Sequence, residues 1–172
     1  MPHTLRLTSL ACALLLAGVI GTSHAQGSPM TTQFGLGVLL GLGDHEYTGG
    51  EFRAFVPIPA VEGLRVIPEL GFSVNNINDH VFLASLSVSA AYTPFRFAGR
   101  NGGAYVKAGP RYDYGFNTDV DNASSGDVGA NLGLGVQASV GPIDIYAEFE
   151  HLFVDSPVSI NQLIIGLTIA AN

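Results

Sequence analysis

Charge, tryptophan and long apolar runs are what this sequence has least of. Only 12% of its 172 residues are charged and none is tryptophan. Soluble domains carry about 25% charged residues, so the shortage argues against an ordinary soluble enzyme. Seven basic residues and a net charge of −7 argue against a nucleic-acid partner, because phosphates are bound by basic side chains. After the first 25 residues, no apolar run is long enough to cross a membrane as a helix.

The first 25 residues have the features of a secretory signal peptide. Residues 7–20 are mostly apolar, and a small-x-small cleavage site ends at Ala25. We therefore expect residues 1–25 to be removed on export and residues 26–172 to form a single domain. The one cysteine, Cys12, lies in the leader, so the mature chain has no disulfide or thiol chemistry.

Apolar and polar residues alternate along nearly the whole mature chain. A period of two is typical of strands whose two faces differ. Glycine-, proline- and asparagine-rich turns separate the alternating segments, which suits hairpin connections in an antiparallel meander. The alternation predicts eight strands, at about 31–43, 51–58, 64–74, 81–92, 104–115, 128–140, 143–153 and 160–171.

The two faces of the predicted strands differ sharply in charge. One face contains no Asp, Glu, Lys or Arg, and His151, near a strand end, is its one readily ionisable residue. The other face holds four basic and six acidic residues among glycines and amides. Such a balance suits a closed pairing network. We name these ten residues the lumen network: Glu51, Arg53, Arg65, Glu69, Lys107, Arg111, Asp113, Asp144, Glu148 and Glu150.

Alternation alone does not say which face meets the core. A secreted, lipocalin-like binding barrel places its apolar face inside, whereas a membrane barrel turns that face to lipid. The polar face is too poor in charge for a soluble surface. The apolar face excludes charge, which lipid penalises by roughly 2–4 kcal/mol for Arg or Lys at the midplane. The sequence thus predicts an all-β fold, an eight-stranded antiparallel up-and-down transmembrane β-barrel with a polar lumen, and the soluble barrel is the alternative.

Short turns predict particular neighbours across the strands. A turn centred in 59–63 puts Arg53 directly opposite Glu69 on the polar face, where opposite charges attract. The turn after residue 140 puts Glu148 opposite Gly135. A glycine there leaves room in a narrow lumen for long neighbouring side chains.

The connections predicted to face outward are acidic. Counted from a periplasmic N-terminus, these are 44–50, 75–80, 116–127 and 154–159, and they contain no basic residue. We expect them to be the place where a surface ligand would bind. Their acids are Asp44, Glu46, Asp79, Asp119, Asp121, Asp127 and Asp155.

One of these connections gathers oxygen ligands that a divalent hard cation could use. Asp119, Asp121 and Asp127 form a weak metal candidate, since the spacing of an EF-hand loop is absent. A solvated acidic loop is the simpler interpretation. We therefore predict no metal and no cofactor.

Three segments resemble the small eight-stranded outer-membrane barrels, the group that contains the opacity proteins and the transmembrane domain of outer-membrane protein A. They are FGLGVLLGLG (34–43), AYVKAGPRYDY (104–114) and IYAEFEHLF (145–153). The last is similar to the aromatic-acidic-aromatic-basic pattern usual in that group. The resemblance is one of pattern and covers nearly all of the mature chain. It implies an outer-membrane location.

Two features depart from that group. Its members usually end in an aromatic residue that helps the assembly machinery recognise the last strand, whereas this chain ends in Asn172. Pro68 and Pro110 fall within predicted strands, where each removes a ladder donor. Each proline therefore indicates a bulge, or a strand register different from the one that the alternation assigns.

The residues around His151 and inside the predicted barrel indicate which functions are possible. Some barrels of this size modify lipid A with a His-x-Ser pair, but Phe153 stands where that serine would follow His151, so we predict no enzyme. Eight strands leave an interior that side chains can fill, so the lumen network is expected to fill the barrel rather than conduct. The prediction is a monomeric outer-membrane protein with a structural or surface-interaction role, in contact with outer-membrane lipid. A small pore or a lipid-modifying enzyme is the second alternative.

Overall fold

The computed structural model describes residues 30–43, 47–75, 81–96, 101–117, 124–153 and 161–171, so the predicted leader, 1–25, lies outside the described part. Eight strands form one closed antiparallel barrel in which each strand pairs with its neighbours in sequence and β1 closes on β8. Among the described residues, no helix is long and apolar enough to cross a membrane. The strands are β1 (Gln33–Leu42), β2 (Tyr47–Pro57), β3 (Leu64–Asn75), β4 (Val81–Arg96), β5 (Gly103–Asn117), β6 (Ser124–Val140), β7 (Ile143–Phe153) and β8 (Asn161–Ala170).

Three strands extend four residues beyond their predicted bounds at one end. Strand β2 begins at Tyr47, β4 continues to Arg96, and β6 begins at Ser124. Apart from Tyr47, the additional residues of β2 and β6 are polar or glycine, so these ends lack the apolar alternation that marked the rest of each strand. The prediction that 116–127 is all loop is therefore wrong, because Asp127 lies in β6 directly opposite Asp113.

The apolar face points away from the barrel axis. Leu36 is 68% exposed and Val128 is 81% exposed, whereas every member of the lumen network is at most 7% exposed. The structure thus confirms the predicted fold class, an eight-stranded antiparallel barrel with a polar lumen. A lipocalin-like arrangement has the opposite placement of the two faces.

Apolar side chains also enter the lumen. Phe55, Tyr105 and Tyr146 are buried with Ile67 in one cluster. A second cluster joins Tyr47, Leu83 and Leu152 near the end of the barrel opposite the chain termini. The inward face is therefore a mixture of charged, aromatic and aliphatic side chains, and together they fill the interior.

The two mid-strand prolines are not bulges. Pro68 lies directly opposite Val88, and Pro110 directly opposite Ala130, with the register unchanged on either side. Both side chains are outward and exposed, as the alternation places them. The prediction of a bulge at these prolines is wrong, because each strand tolerates the missing donor without shifting its register.

The register change in the described ladders of β4 and β5 lies elsewhere, between Tyr92 and Phe95. Both of these side chains remain outward and exposed despite their odd spacing. The extra residue of a bulge explains how that is achieved. The nearby turn contains Gly63, whose φ of 79° lies in the left-handed region that favours glycine.

Substitutions at two glycines can test how closely the barrel is packed around its strands. A Cβ added at Gly166 would lie 2.4 Å from the carbonyl oxygen of Leu36 and 2.4 Å from the hydroxyl of Tyr146. A Cβ at the outward Gly50 would meet nothing nearer than the Gly37 oxygen at 3.6 Å. We predict that Gly166→Ala lowers the free energy of unfolding by about 1–3 kcal/mol and that Gly50→Ala does not lower it. Urea titration of the two variants in detergent measures the difference, and equal stabilities would contradict the packing described.

Candidate functional site: the charged lumen

The Arg53 guanidinium contacts three carboxylates in the lumen. It is fully buried, and its NH2 lies 2.5 Å from Glu51 and 2.8 Å from Glu69. Its NH1 lies 3.0 Å from Glu148 on the far side of the barrel. The structure has Arg53 directly opposite Glu69 in the β2–β3 ladder, as the turn at 59–63 predicts.

Lys107 joins the same carboxylates from strand β5. Its Nζ lies 2.5 Å from Glu69, 2.7 Å from Glu148 and 3.3 Å from Glu150. Arg53 and Lys107 therefore share two carboxylates, which makes a continuous set of charges rather than separate pairs.

Arg111 extends this set toward the end of the barrel opposite the termini. Its NH2 lies 2.8 Å from Asp113 and its NH1 lies 3.7 Å from Glu150. Three cations and five carboxylates are thus connected, and we name them the ion-pair cluster. Its members are Glu51, Arg53, Glu69, Lys107, Arg111, Asp113, Glu148 and Glu150.

Neutral hydroxyl groups donate additional hydrogen bonds to the carboxylates of the ion-pair cluster. The Tyr105 hydroxyl donates to Glu148 at 2.7 Å and the Tyr146 hydroxyl donates to Glu51 at 3.0 Å. Ser87 donates to Glu69 at 2.6 Å. Buried carboxylates are tolerated only when their oxygens are paired or hydrogen-bonded. Since carboxylates outnumber cations in the ion-pair cluster, these hydroxyls are necessary for the charges to remain buried.

The Phe55 ring lies between two guanidinium groups. The Arg53 Cζ is 5.7 Å from its centroid and the Arg65 Cζ is 4.8 Å from it. Arg53 also lies 4.7 Å from the Tyr146 ring, and Arg65 lies 5.2 Å from the Tyr105 ring. Each cation is thus held by aromatic faces as well as by hydrogen bonds.

Arg65 and Asp144 lie apart from the ion-pair cluster, near the end that carries the chain termini. Arg65 NH1 donates to Gln137 at 2.7 Å, and Gln137 Nε2 donates to Gln33 at 2.8 Å. The Gln33 amide in turn donates to Asp144. Two amide side chains therefore connect the cation to the carboxylate in a chain of hydrogen bonds.

Glycines make room for the long side chains. Glu148 lies opposite Gly135 in the β6–β7 ladder, as predicted. The space beside Gly135 is taken by Tyr105, whose Cζ is 2.2 Å from where a Cβ would stand. The space beside Gly133 is taken by the stem of Lys107, at 3.0 Å. The glycines of the polar face thus determine where the tyrosine and the lysine can lie.

Sequence reasoning missed the inward aromatic side chains and the glutamine connection. Phe55, Tyr105 and Tyr146 occupy positions whose parity matches the charged face, so the alternation could have placed them inside. The roles of Gln33 and Gln137 depend on contacts across the lumen. Neighbouring-strand patterns carry no signal for such contacts.

One residue of the predicted metal candidate lies in the described part of the chain. Asp127 lies in β6, partly exposed on the inward side, whereas Asp119 and Asp121 lie outside the described residues. In the part of the chain that the structure describes, no group of three or more His, Cys, Asp or Glu residues is placed to hold a metal ion. The other acids of the predicted outward connections also lie outside the described residues; they are Asp44, Glu46, Asp79 and Asp155.

His151 lies on the outward face near the end of β7. Its Nδ1 is 3.0 Å from Asn161 Oδ1, and its ring packs edge-on against Phe153 with centroids 4.6 Å apart. The position that a catalytic serine would need is thus filled by an aromatic ring in contact with the histidine.

Comparisons with known proteins bear on the fold. No protein-family model and no curated protein matches the chain. The structure of Neisserial surface protein A is similar, with a TM-score of 0.61 and 17% identity over 81% of this chain and 96% of that one. A structure from the de novo design of transmembrane β-barrels has a TM-score of 0.49 and 17% identity, over 84% of this chain and 98% of the design. At 17% identity the first likeness shows the barrel fold alone, and the resemblance to the opacity proteins stays a prediction.

Removing the Arg53 guanidinium tests the ion-pair cluster. We predict that Arg53→Met lowers the free energy of unfolding by about 3–5 kcal/mol, because three buried carboxylates each lose a cationic partner, although Glu69 and Glu148 keep Lys107. The control is Glu62→Gln, since Glu62 pairs with Arg96 at 3.6 Å but its side chain is 83% exposed. Surface pairs contribute about 1 kcal/mol or less. Urea unfolding in detergent measures both, and a stable Arg53→Met barrel would show that the cluster is dispensable.

Proposed function

We propose that this protein is exported and forms an integral outer-membrane barrel. The observation that carries the proposal is the inside-out distribution of side chains: large apolar residues cover the outside while charges are buried inside. Water would penalise such a surface, and lipid favours it. A closed barrel also pairs its backbone groups internally, as lipid requires. The predicted leader, 1–25, supplies the route of export.

The role that we propose is structural or surface-interacting rather than catalytic. The charged side chains that could line a conduit are all buried, and eight of the ten, the ion-pair cluster, are bound to one another. His151, the one outward histidine of β7, contacts Asn161 and Phe153, which supports an interfacial role over a catalytic one. The barrel is proposed to act as a monomer in contact with outer-membrane lipid, without cofactor, and a surface ligand at its acidic connections is part of the proposal.

A soluble lipocalin-like barrel is the rival from another class. Its binding site would be an apolar interior, whereas this interior holds the ion-pair cluster. The rival would need another molecule to cover the apolar outside. The two proposals differ in where the protein is found in the cell.

Cell fractionation tests the membrane proposal directly. We predict that the protein is recovered with the outer membrane and migrates differently on gels before and after heating, because a folded barrel resists detergent until heated. Arg53→Met provides a destabilised comparison that should lose heat-modifiability first. Recovery in the soluble fraction without heat-modifiability would favour the lipocalin-like alternative.

Planar-bilayer recording tests the filled lumen. We predict no reproducible large single-channel conductance, because Arg53, Lys107 and Glu148 are mutually bound across the lumen. Gly50→Ala, an outward substitution, should record in the same way. Reproducible large conductance of the unmodified protein would establish the small-pore alternative instead.

A further inference from the structure

Strand β6 continues beyond the end of the strand that pairs with it on one side. The last pair of the β6–β7 ladder is Ala130–Phe153, whereas the β5–β6 ladder continues as far as Phe116–Ser124. Within the described part of the chain, residues 124–129 therefore have a neighbouring strand only on the β5 side. Alternate residues of such a segment direct their backbone N–H and C=O groups toward the open side. We name residues 124–129 the β6 edge.

The β6 edge exceeds the length that a strand needs to cross a membrane. Strands β7, β8 and β1 have 11, 10 and 10 residues, and about 9–11 residues span a bilayer. Strand β6 has 17 residues, and its additional residues lie at the end of the barrel opposite the chain termini. Unpaired backbone groups are costly in lipid, whereas water can hydrate them. The β6 edge is therefore suited to the aqueous side of the proposed outer membrane.

The outward side of the β6 edge presents apolar and aromatic groups. Val128 is one of the most exposed apolar side chains of the barrel. The ring of Tyr112 lies over Gly126, since an added Cβ there would be 2.3 Å from the tyrosine hydroxyl. Apolar and aromatic side chains on neighbouring strands stabilise a sheet when they pack together. A strand added beside β6 could thus cover both Val128 and the exposed side of the Tyr112 ring.

Asp127 provides the charge on the inward side of the β6 edge. It lies directly opposite Asp113 on β5, and like charges in that position repel. Arg111 is bound to Asp113, with its NH2 at 2.8 Å and its Nε at 2.9 Å. The Asp127 carboxylate is partly exposed and has no ion pair or hydrogen bond with another described residue. A cation that arrives from the open side would therefore find an available carboxylate.

Charge disfavours a second copy of this chain at the β6 edge. Pairing two such edges would bring one Asp127 toward the other, in a chain whose net charge is −7. An inward-pointing charge on an edge strand opposes pairing between copies. A strand with a basic side chain in that position would be attracted instead. The β6 edge therefore favours a partner of different sequence.

We propose that the β6 edge binds an extended basic peptide segment, which adds a strand to the barrel beyond Phe153. The backbone of the peptide pairs with alternate residues of the β6 edge. A lysine or arginine of the peptide lies opposite Asp127, and an apolar side chain covers Val128. This inference rests on the proposed membrane location, and it gives the proposed surface ligand a chemical class and a binding position.

Titration of the folded barrel with a synthetic peptide, followed by NMR, tests the charge and the backbone pairing. The probe is the hexapeptide Thr-Lys-Val-Lys-Val-Thr, in which lysine and valine alternate. We expect Asp127→Asn to weaken binding by about three- to fivefold, because one cross-strand charge pair is lost. Glu62→Gln, which changes an exposed acid far from the β6 edge, should leave binding unchanged.

Two altered peptides are the controls for the probe. Glutamates in place of the lysines should prevent measurable binding, because they would lie beside Asp127. Methylation of the backbone nitrogens should also prevent it, because a methylated nitrogen cannot donate to an edge strand. Equal binding of the methylated peptide, or equal binding to Asp127→Asn, would overturn the proposal.

Residue-resolved hydrogen exchange shows where the peptide lies. Without peptide, alternate amides of 126–129 should exchange about tenfold faster or more than those of 131–134, which are paired on both sides. Saturating hexapeptide should remove that difference. Slow exchange of all these amides without peptide would contradict the proposal, because the edge would then be occupied by residues 154–160 or by a second copy.

Fractionation and heat-modifiability of the same protein separate this proposal from the membrane location. A heat-modifiable protein that is recovered with the outer membrane but does not bind the hexapeptide would overturn strand addition alone. A protein that binds the hexapeptide but is recovered in the soluble fraction would overturn the membrane location. Heat-modifiability of Asp127→Asn confirms that a loss of binding does not result from unfolding.

Discussion

Arg53 is buried completely, and its single guanidinium contacts carboxylates of β2, β3 and β7. In a closed barrel the backbone connects each strand only to its two neighbours. A contact from β2 to β7 therefore does what no ladder can, because it fixes the cross-section of the barrel from inside. Lys107 repeats this from β5, with the same two carboxylates, Glu69 and Glu148. The rest of the interior is arranged around these two cations.

The limited space inside the barrel is a second constraint on the structure, and glycine residues provide the room that long side chains need. An eight-stranded barrel has an interior that side chains just fill, so a long side chain on one strand requires a short one beside it. Tyr105 and Lys107 lie over Gly135 and Gly133, and Tyr146 lies beside Gly37 and Gly166. The glycines of the polar face are thus a condition for burying tyrosines and ion pairs together.

The sequence predicted those parts of the structure that depend on neighbours along the chain. The period of two separated the faces, and a short turn placed Arg53 opposite Glu69. The ends of β2 and β6 were missed because glycine and polar residues there carry no apolar alternation, and Asp127 was consequently assigned to a loop. Contacts across the lumen, such as Arg53 with Glu148, could not be predicted, since they depend on the register of every strand between them.

The same distinction explains why the prolines do not form the bulges that the sequence predicts. Proline within a sheet is usually confined to edge strands or bulges, because it cannot donate to the ladder. Here the register at Pro68 is held on one side by the unbroken β3–β4 ladder and from within by Glu69, which contacts Arg53 and Lys107. Backbone pairing lost at the wall is therefore offset by ion pairs in the lumen. The strands and the lumen side chains therefore stabilise each other. The position of a carboxylate in the lumen decides where a strand can lose a backbone hydrogen bond without changing its register.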